Sequence, residues 1–186
     1  MDVRETNKIE IEGRLKDMGD FMKMHYLESC LKSVLNFETK KFVLTRLAGI
    51  YEVRRMFRDA GRLFRDAADI NSTYEGKIRD FVKSGELFIQ AGQFDEADVS
   101  FGKARSCGND SQKTRIKKTE KEFYKIRSKM TISNGKKRYA IDTYEKLLKL
   151  DLDSKEKAEV ENELLELYRS LGKMVEYEGL KKRVGN

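Results

Sequence analysis

Between residues 78 and 104, IRDFVKSGELFIQAGQFDEADVSFGKA, the apolar and small residues fall on a spacing that leaves little choice of fold. Phe81, Ser84, Gly85 and Phe88 recur at intervals of three and four, which places them on one face of a helix. Ala97, Phe101 and Ala104 follow at four and three. Between the two sets lies AGQFDEA, where Gly92 can take the left-handed conformation that ends a helix without a Cβ clash. The pattern predicts two antiparallel helices joined tightly at Gly92. Gly85 is expected to face Ala97 and Ala104, because only small residues let two helix backbones approach closely. Phe81, Phe88 and Phe101 are expected to fill the seams to neighbouring pairs.

Copies of this hairpin run along the chain. Residues 41 to 74 repeat it with Leu44, Leu47-Ala48, Tyr51, Phe57, Ala60, Phe64 and Ala67. Residues 5 to 38 repeat it loosely: GDFMKM at 19 to 24 aligns with GQFDEA, Leu15 takes the place of Phe88 and Leu31 that of Ala104. The stretch 113 to 150 keeps Ala140, Tyr144 and Leu147, with Asn134-Gly135 as the turn signal. The last stretch, 158 to 186, recovers Leu164-Leu165, Tyr168, Gly172, Met174 and Tyr177. Between the second and third copies, Asn71, Ser72 and Gly76 read as turn and cap residues.

This spacing resembles the tetratricopeptide repeat, whose pattern is an aromatic, a Leu-Gly pair, an aromatic, then an alanine with an aromatic four later. The resemblance implies an all-α fold, a right-handed α-solenoid of about five hairpins and about ten helices, with 1–186 as one domain and repeats near 5–38, 41–74, 78–111, 113–150 and 158–186. The repeats run longer than the family's, as in vesicle-fusion attachment proteins, and the chain has no proline, with which the family often ends its second helix. In the family's frame the concave groove would be lined by Phe42, Thr45, Gly49, Glu52 and Val53, then Arg79, Val82, Glu86, Ile89 and Gln90. Some relatives clamp a terminal carboxylate there. Here only Arg79 has the right charge and Glu86 stands where an amide would be needed, so an amphipathic helix or an extended apolar segment is the expected guest.

Composition narrows the functions. No apolar run approaches the length of a membrane span, and the N-terminal residues lack the apolar core of a signal peptide. Cys30 and Cys107 are too few for a disulfide framework or a metal site and are expected as buried or half-buried thiols, in keeping with a cytoplasmic location. The single histidine, His25, has no nucleophile motif around it and is expected to be a partly buried structural residue. No phosphate loop, HExxH or CxxC occurs, so neither an enzyme nor a cofactor or metal is expected. Arg54, Arg55, Arg58, Arg62 and Arg65 crowd one inter-helix turn, and Asp59, Asp66 and Asp69 among them predict a solvated face of paired charges.

Charge is distributed unevenly. Residues 113 to 138 carry 11 basic and 2 acidic side chains, whereas 151 to 178 carry 9 acidic and 4 basic. Lys117, Lys118, Lys121, Lys125 and Lys129 surround a helix with an apolar stripe of Ile116, Phe123, Ile126 and Met130. Such a helix could neutralise nucleic-acid phosphates or meet an anionic lipid surface. Alternatively, the acidic helix bearing Glu159, Glu163 and Glu166 takes up its charge from within. The expected function is a non-enzymatic scaffold binding a protein or peptide in its groove, with nucleic-acid or anionic-surface binding through 113–138 as the alternative. Self-association through the terminal repeats is a third outcome.

Overall fold

The computed structural model describes residues 4–184. Among them are ten α-helices and no strand: α1 (Lys8–Leu15), α2 (Asp20–Cys30), α3 (Phe37–Val53), α4 (Phe57–Asp69), α5 (Tyr74–Ala91), α6 (Phe94–Ser106), α7 (Asp110–Ser133), α8 (Lys137–Leu147), α9 (Ser154–Ser170) and α10 (Met174–Val184). The chain divides into two compact units, residues 1–117 and 118–186, with the division inside α7. No helix among the described residues is long and apolar enough to cross a membrane. The final residues of the 158–186 repeat, 185 and 186, lie outside the described part, as do residues 1–3.

In the first unit, α5 packs on both α4 and α6. Its N-cap is Thr73, whose hydroxyl accepts the Gly76 N–H at 3.1 Å and satisfies one of the orphan amides of the first turn. It ends where expected, at Gly92 with φ +73°. The Gly92 N–H donates to the Ile89 carbonyl and the Gln93 N–H to that of Phe88, which closes the helix in a Schellman turn. The small residues act as the periodicity suggests. A Cβ at Gly85 would lie 2.5 Å from Cε2 of Phe101, so the buried Phe101 ring occupies the space in front of Gly85. The Phe88 ring lies 3.2 Å from a Cβ built at Gly61 of α4 and fills the seam to the preceding pair. Beside it, the buried Ser84 hydroxyl donates to the Gly61 carbonyl at 2.8 Å and lies 3.1 Å from Ser100 Oγ.

In the segment before α5, Asn71 is a turn residue as expected, its side-chain oxygen accepting the Thr73 N–H at 3.3 Å, and Gly76 departs from the expectation. Thr73 is the cap, while Gly76 is inside the helix and leaves room for the buried Asn71, whose amide nitrogen would sit 2.3 Å from a Cβ there. Asn71 in turn donates to the buried Asp80 carboxylate at 2.8 Å.

The N-terminal helices close on a cluster of Ile11, Leu15, Tyr26, Leu27, Cys30, Val43 and Leu47. Tyr51 reaches back from α3 to donate to Glu28 of α2 at 2.5 Å. The same step back of 23 residues recurs in the second unit, where Tyr168 of α9 donates to Glu145 of α8 at 2.7 Å.

In the second unit, Ala140, Ile141, Tyr144 and Leu147 of α8 are buried, as are Val160, Leu164, Leu167 and Tyr168 of α9. A capping box opens α9: Asp153 accepts the Glu156 N–H at 2.8 Å and Glu156 accepts the Asp153 N–H at 3.1 Å. That helix starts four residues ahead of the 158 boundary because this cap fixes its first turn at Ser154. Asn134-Gly135 is the turn between α7 and α8, with Gly135 at φ +73°.

Candidate binding cleft and basic helix

The first unit has an open cleft of about 920 Å³ between α1, α2 and α3. Its walls carry Thr45, Gly49, Ile50 and Val53 from α3, Ile9, Gly13 and Leu15 from α1, and Leu27 from α2. Two features keep it open. Gly13 and Gly49 have nothing within 4 Å of where a Cβ would stand, so both present bare backbone to the space. Ile9 and Val53, 83% and 81% exposed, are apolar side chains facing solvent at its edge. Charged side chains make up much of the rest: Arg46 donates to Glu12 at 2.8 Å, and Lys16, Asp20 and Lys23 complete the lining. The lining mixes aliphatic and charged side chains, suited to an amphipathic partner segment.

The residues expected to form a groove separate into five groups. Thr45, Gly49 and Val53 line this cleft. Phe42 sits beside it, with Lys8 Nζ 5.3 Å and Arg46 Cζ 5.5 Å from its ring centre, a cation–π contact from each. Glu52, Glu86 and Gln90 are joined by one lysine: Lys83 donates to Glu52 at 2.7 Å and to Glu86 at 3.0 Å, and Gln90 donates to Glu86 at 3.1 Å. Arg79 is exposed and pairs with Asp80 at 3.2 Å, while Val82 is half-buried. These polar groups satisfy one another, which leaves no free amide and cation pair for a terminal carboxylate. Ile89 corrects the expectation: it is 1% exposed, because α5 is buried on consecutive residues Leu87, Phe88 and Ile89, far more of its circumference than a one-sided helix.

The basic helix is partly neutralised within the second unit. Lys121 donates to Glu156 at 2.5 Å and Lys125 does so at 3.0 Å. With both ammonium groups bonded to it, Lys121 first, the Glu156 carboxyl is held at a pKa of about 2. The neutralising carboxylate is Glu156; Glu159, Glu163 and Glu166 are exposed. Lys117, Lys118 and Lys129 are exposed, and Lys118 and Lys129 make no ion pair among the described residues. The apolar stripe is also displaced. Ile126 and Met130 are 51% and 53% exposed, and the buried row runs through Ile116, Glu120, Tyr124, Ser128 and Thr131 at intervals of four and three. Hydrophobicity alone misplaced it, since the buried face of this helix is largely polar.

Elsewhere, His25 is exposed rather than partly buried and meets Phe21 edge-on, with ring centres 4.6 Å apart. Cys30 is buried and Cys107 half-buried, as expected, and burial raises the Cys30 thiol's pKa. Among the described residues no three His, Cys, Asp or Glu side chains are grouped as metal ligands. Compared with models of known protein families and with curated proteins, the sequence matches none.

Sequence reasoning missed Ile9, Glu12, Gly13, Lys16 and Lys23 as cleft residues, because the first repeat was the most degenerate. One signal for them was present. Gly13 and Gly49 are glycines within helical patterns, each of which costs a helix about 1 kcal/mol and marks a close approach or an open face.

Proposed function

We propose that this chain is a non-enzymatic protein-binding scaffold, a solenoid of tetratricopeptide-like hairpins whose working surface is the cleft between α1, α2 and α3. The observation that carries the reading is that cleft: about 920 Å³, lined in part by Leu15, Leu27 and Ile50, with bare glycine backbone on two walls and exposed Ile9 and Val53 in its lining. A preformed trough lowers the ordering cost of binding an amphipathic helix or extended segment. The alternative, a polyanion held by the basic helix, is weakened by the use of Lys121 and Lys125 on Glu156.

The test is selection of 16-residue peptides from a displayed library on the full chain, followed by affinity measurement on two variants. Gly49→Trp places an indole in the cleft from a position whose Cβ meets no neighbour within 4 Å. The expected result is at least a tenfold loss of affinity with Gly49→Trp and little change with Lys117→Glu/Lys121→Glu. Peptides that bind Gly49→Trp as well as the parent would sink the cleft as the working surface.

A further inference from the structure

From α3 onward, each helix pair is closed by the same turn. The N–H of one left-handed residue donates to the carbonyl three positions back, and the next N–H donates to the carbonyl five back: Arg55 to Glu52 and Met56 to Tyr51, Gly92 to Ile89 and Gln93 to Phe88, Gly135 to Ile132 and Lys136 to Thr131, Gly172 to Arg169 and Lys173 to Tyr168. In three of the four the left-handed residue is glycine, as sterics prefer. In the α3–α4 turn it is Arg55, at φ +60°, the one non-glycine residue with positive φ among those described.

The helix that follows departs in the same direction. Where α6 opens with Phe94, Asp95 and Glu96, acids that suit a helix's positive end, α4 opens with Phe57, Arg58 and Asp59. Arg58 is followed one turn on by Arg62, a like-charge pair that weakens a helix. Arg54, Arg55, Arg58 and Arg62 are all exposed and make no ion pair among the described residues; Arg54 reaches only the Met24 sulfur, at 3.3 Å. The expected paired face exists only farther along α4, where Arg65 pairs with Glu96 and Asp69 with Lys103. Four exposed arginines thus fall within nine residues spanning the α3–α4 turn and the start of α4, against three separate physical preferences, with exposed Val53 and Met56 beside them.

We propose that the α3–α4 turn binds a phosphate monoester, a phosphoserine or phosphothreonine side chain of a partner protein. This rests on reading the chain as protein-binding; Val53 is shared with the edge of the cleft, but none of the four arginines lines it. A near-dianion with three acceptor oxygens can engage several planar guanidinium forks at once, which a single carboxylate cannot. The patch is short: Asp59 and Asp66 share α4 with it and the charges beyond are already paired, so a polynucleotide running along the helix would meet carboxylates. Val53 and Met56 offer apolar contact to residues flanking the phosphate.

The test uses the full chain with a fluorescein-labelled 12-residue peptide carrying phosphoserine between leucines, its unphosphorylated twin, inorganic phosphate and a 20-nucleotide RNA. The phosphopeptide should bind at least tenfold more tightly than its twin, and Arg58→Glu/Arg62→Glu should abolish that difference. Arg55→Gly, which suits the backbone better, should also weaken binding while leaving the fold intact. Inorganic phosphate should move the Nε–Hε resonances of Arg54, Arg55, Arg58 and Arg62 saturably, and leave the ion-paired Arg46 and Arg65 in place. Equal binding of the twin, resonances that respond only to ionic strength, or tighter binding of RNA through the same arginines would each overturn the proposal. Binding lost in Gly49→Trp yet kept in Arg58→Glu/Arg62→Glu would also overturn it while leaving the cleft standing; the converse would remove the cleft and keep this site.

Discussion

Two glycines in the first unit allow the same substitution to be made with opposite sign. Gly49 lies inside α3 and faces open space, so Gly49→Ala recovers helix propensity with no packing cost, a gain of about 0.5–1 kcal/mol. Gly85 lies inside α5, where a Cβ would stand 2.5, 2.7 and 2.8 Å from Cε2, Cζ and Cδ2 of Phe101. Ordinary carbon contact begins nearly 1 Å farther out, and Phe101 is fully buried, so the ring cannot swing into solvent. Overpacking of this kind costs about 1–3 kcal/mol, and the severity of the overlap places it at the upper end. After the propensity gain, Gly85→Ala should destabilise by about 2 kcal/mol. The two variants should therefore melt on either side of the parent, separated by roughly 6–12 °C at about 2–4 °C per kcal/mol for a chain of this size. Thermal unfolding followed by circular dichroism at 222 nm reads this directly. Phe101→Leu shortens the opposing side chain, and in that background Gly85→Ala should lose most of its cost. If Gly85→Ala melts at or above the parent temperature, the α5–α6 approach described here is wrong.

Two further outcomes follow from the ionisable groups. Glu156 has its carboxyl depressed to about 2, mainly by the Lys121 hydrogen bond, so its contribution is complete above the ordinary glutamate range near 4.5 and fades as pH falls toward 2. Glu156→Gln should cost about 1 kcal/mol at pH 7 and almost nothing at pH 2, and urea titrations at both values would show whether the gap closes. Of the two thiols, half-buried Cys107 should react with a disulfide reagent in the native chain while Cys30 waits for unfolding; equal native rates would contradict the packing of Cys30 against Tyr26 and Leu27.

The comparison of sequence with structure divides along physical lines. The helices, their number and the turns at Gly92, Gly135 and Gly172 were legible, because a helix is a local object: its face repeats every 3.6 residues and its end requires a residue that tolerates positive φ. Even the Arg55 anomaly stood in the text as RRMFRDA aligned on AGQFDEA, and its meaning emerged only once the two turns proved to share one set of hydrogen bonds. The candidate site was legible in part. Thr45, Gly49 and Val53 were assigned to a groove and do line the cleft, but its other walls come from the helices whose repeat is most degenerate.

What the sequence by itself determined is the periodic helical architecture and the small residues on which it turns, since those depend on interactions within three to five residues along the chain. Only the tertiary structure decided that Ile89 is interior while Ile126 and Met130 face solvent, that Glu156 rather than Glu159 or Glu163 takes up the lysines, and that four arginines are left without carboxylates. Exposure and charge pairing are properties of neighbours brought from 23 to 35 positions away, and a hydrophobic or charged residue carries the same letter whether or not such a neighbour arrives.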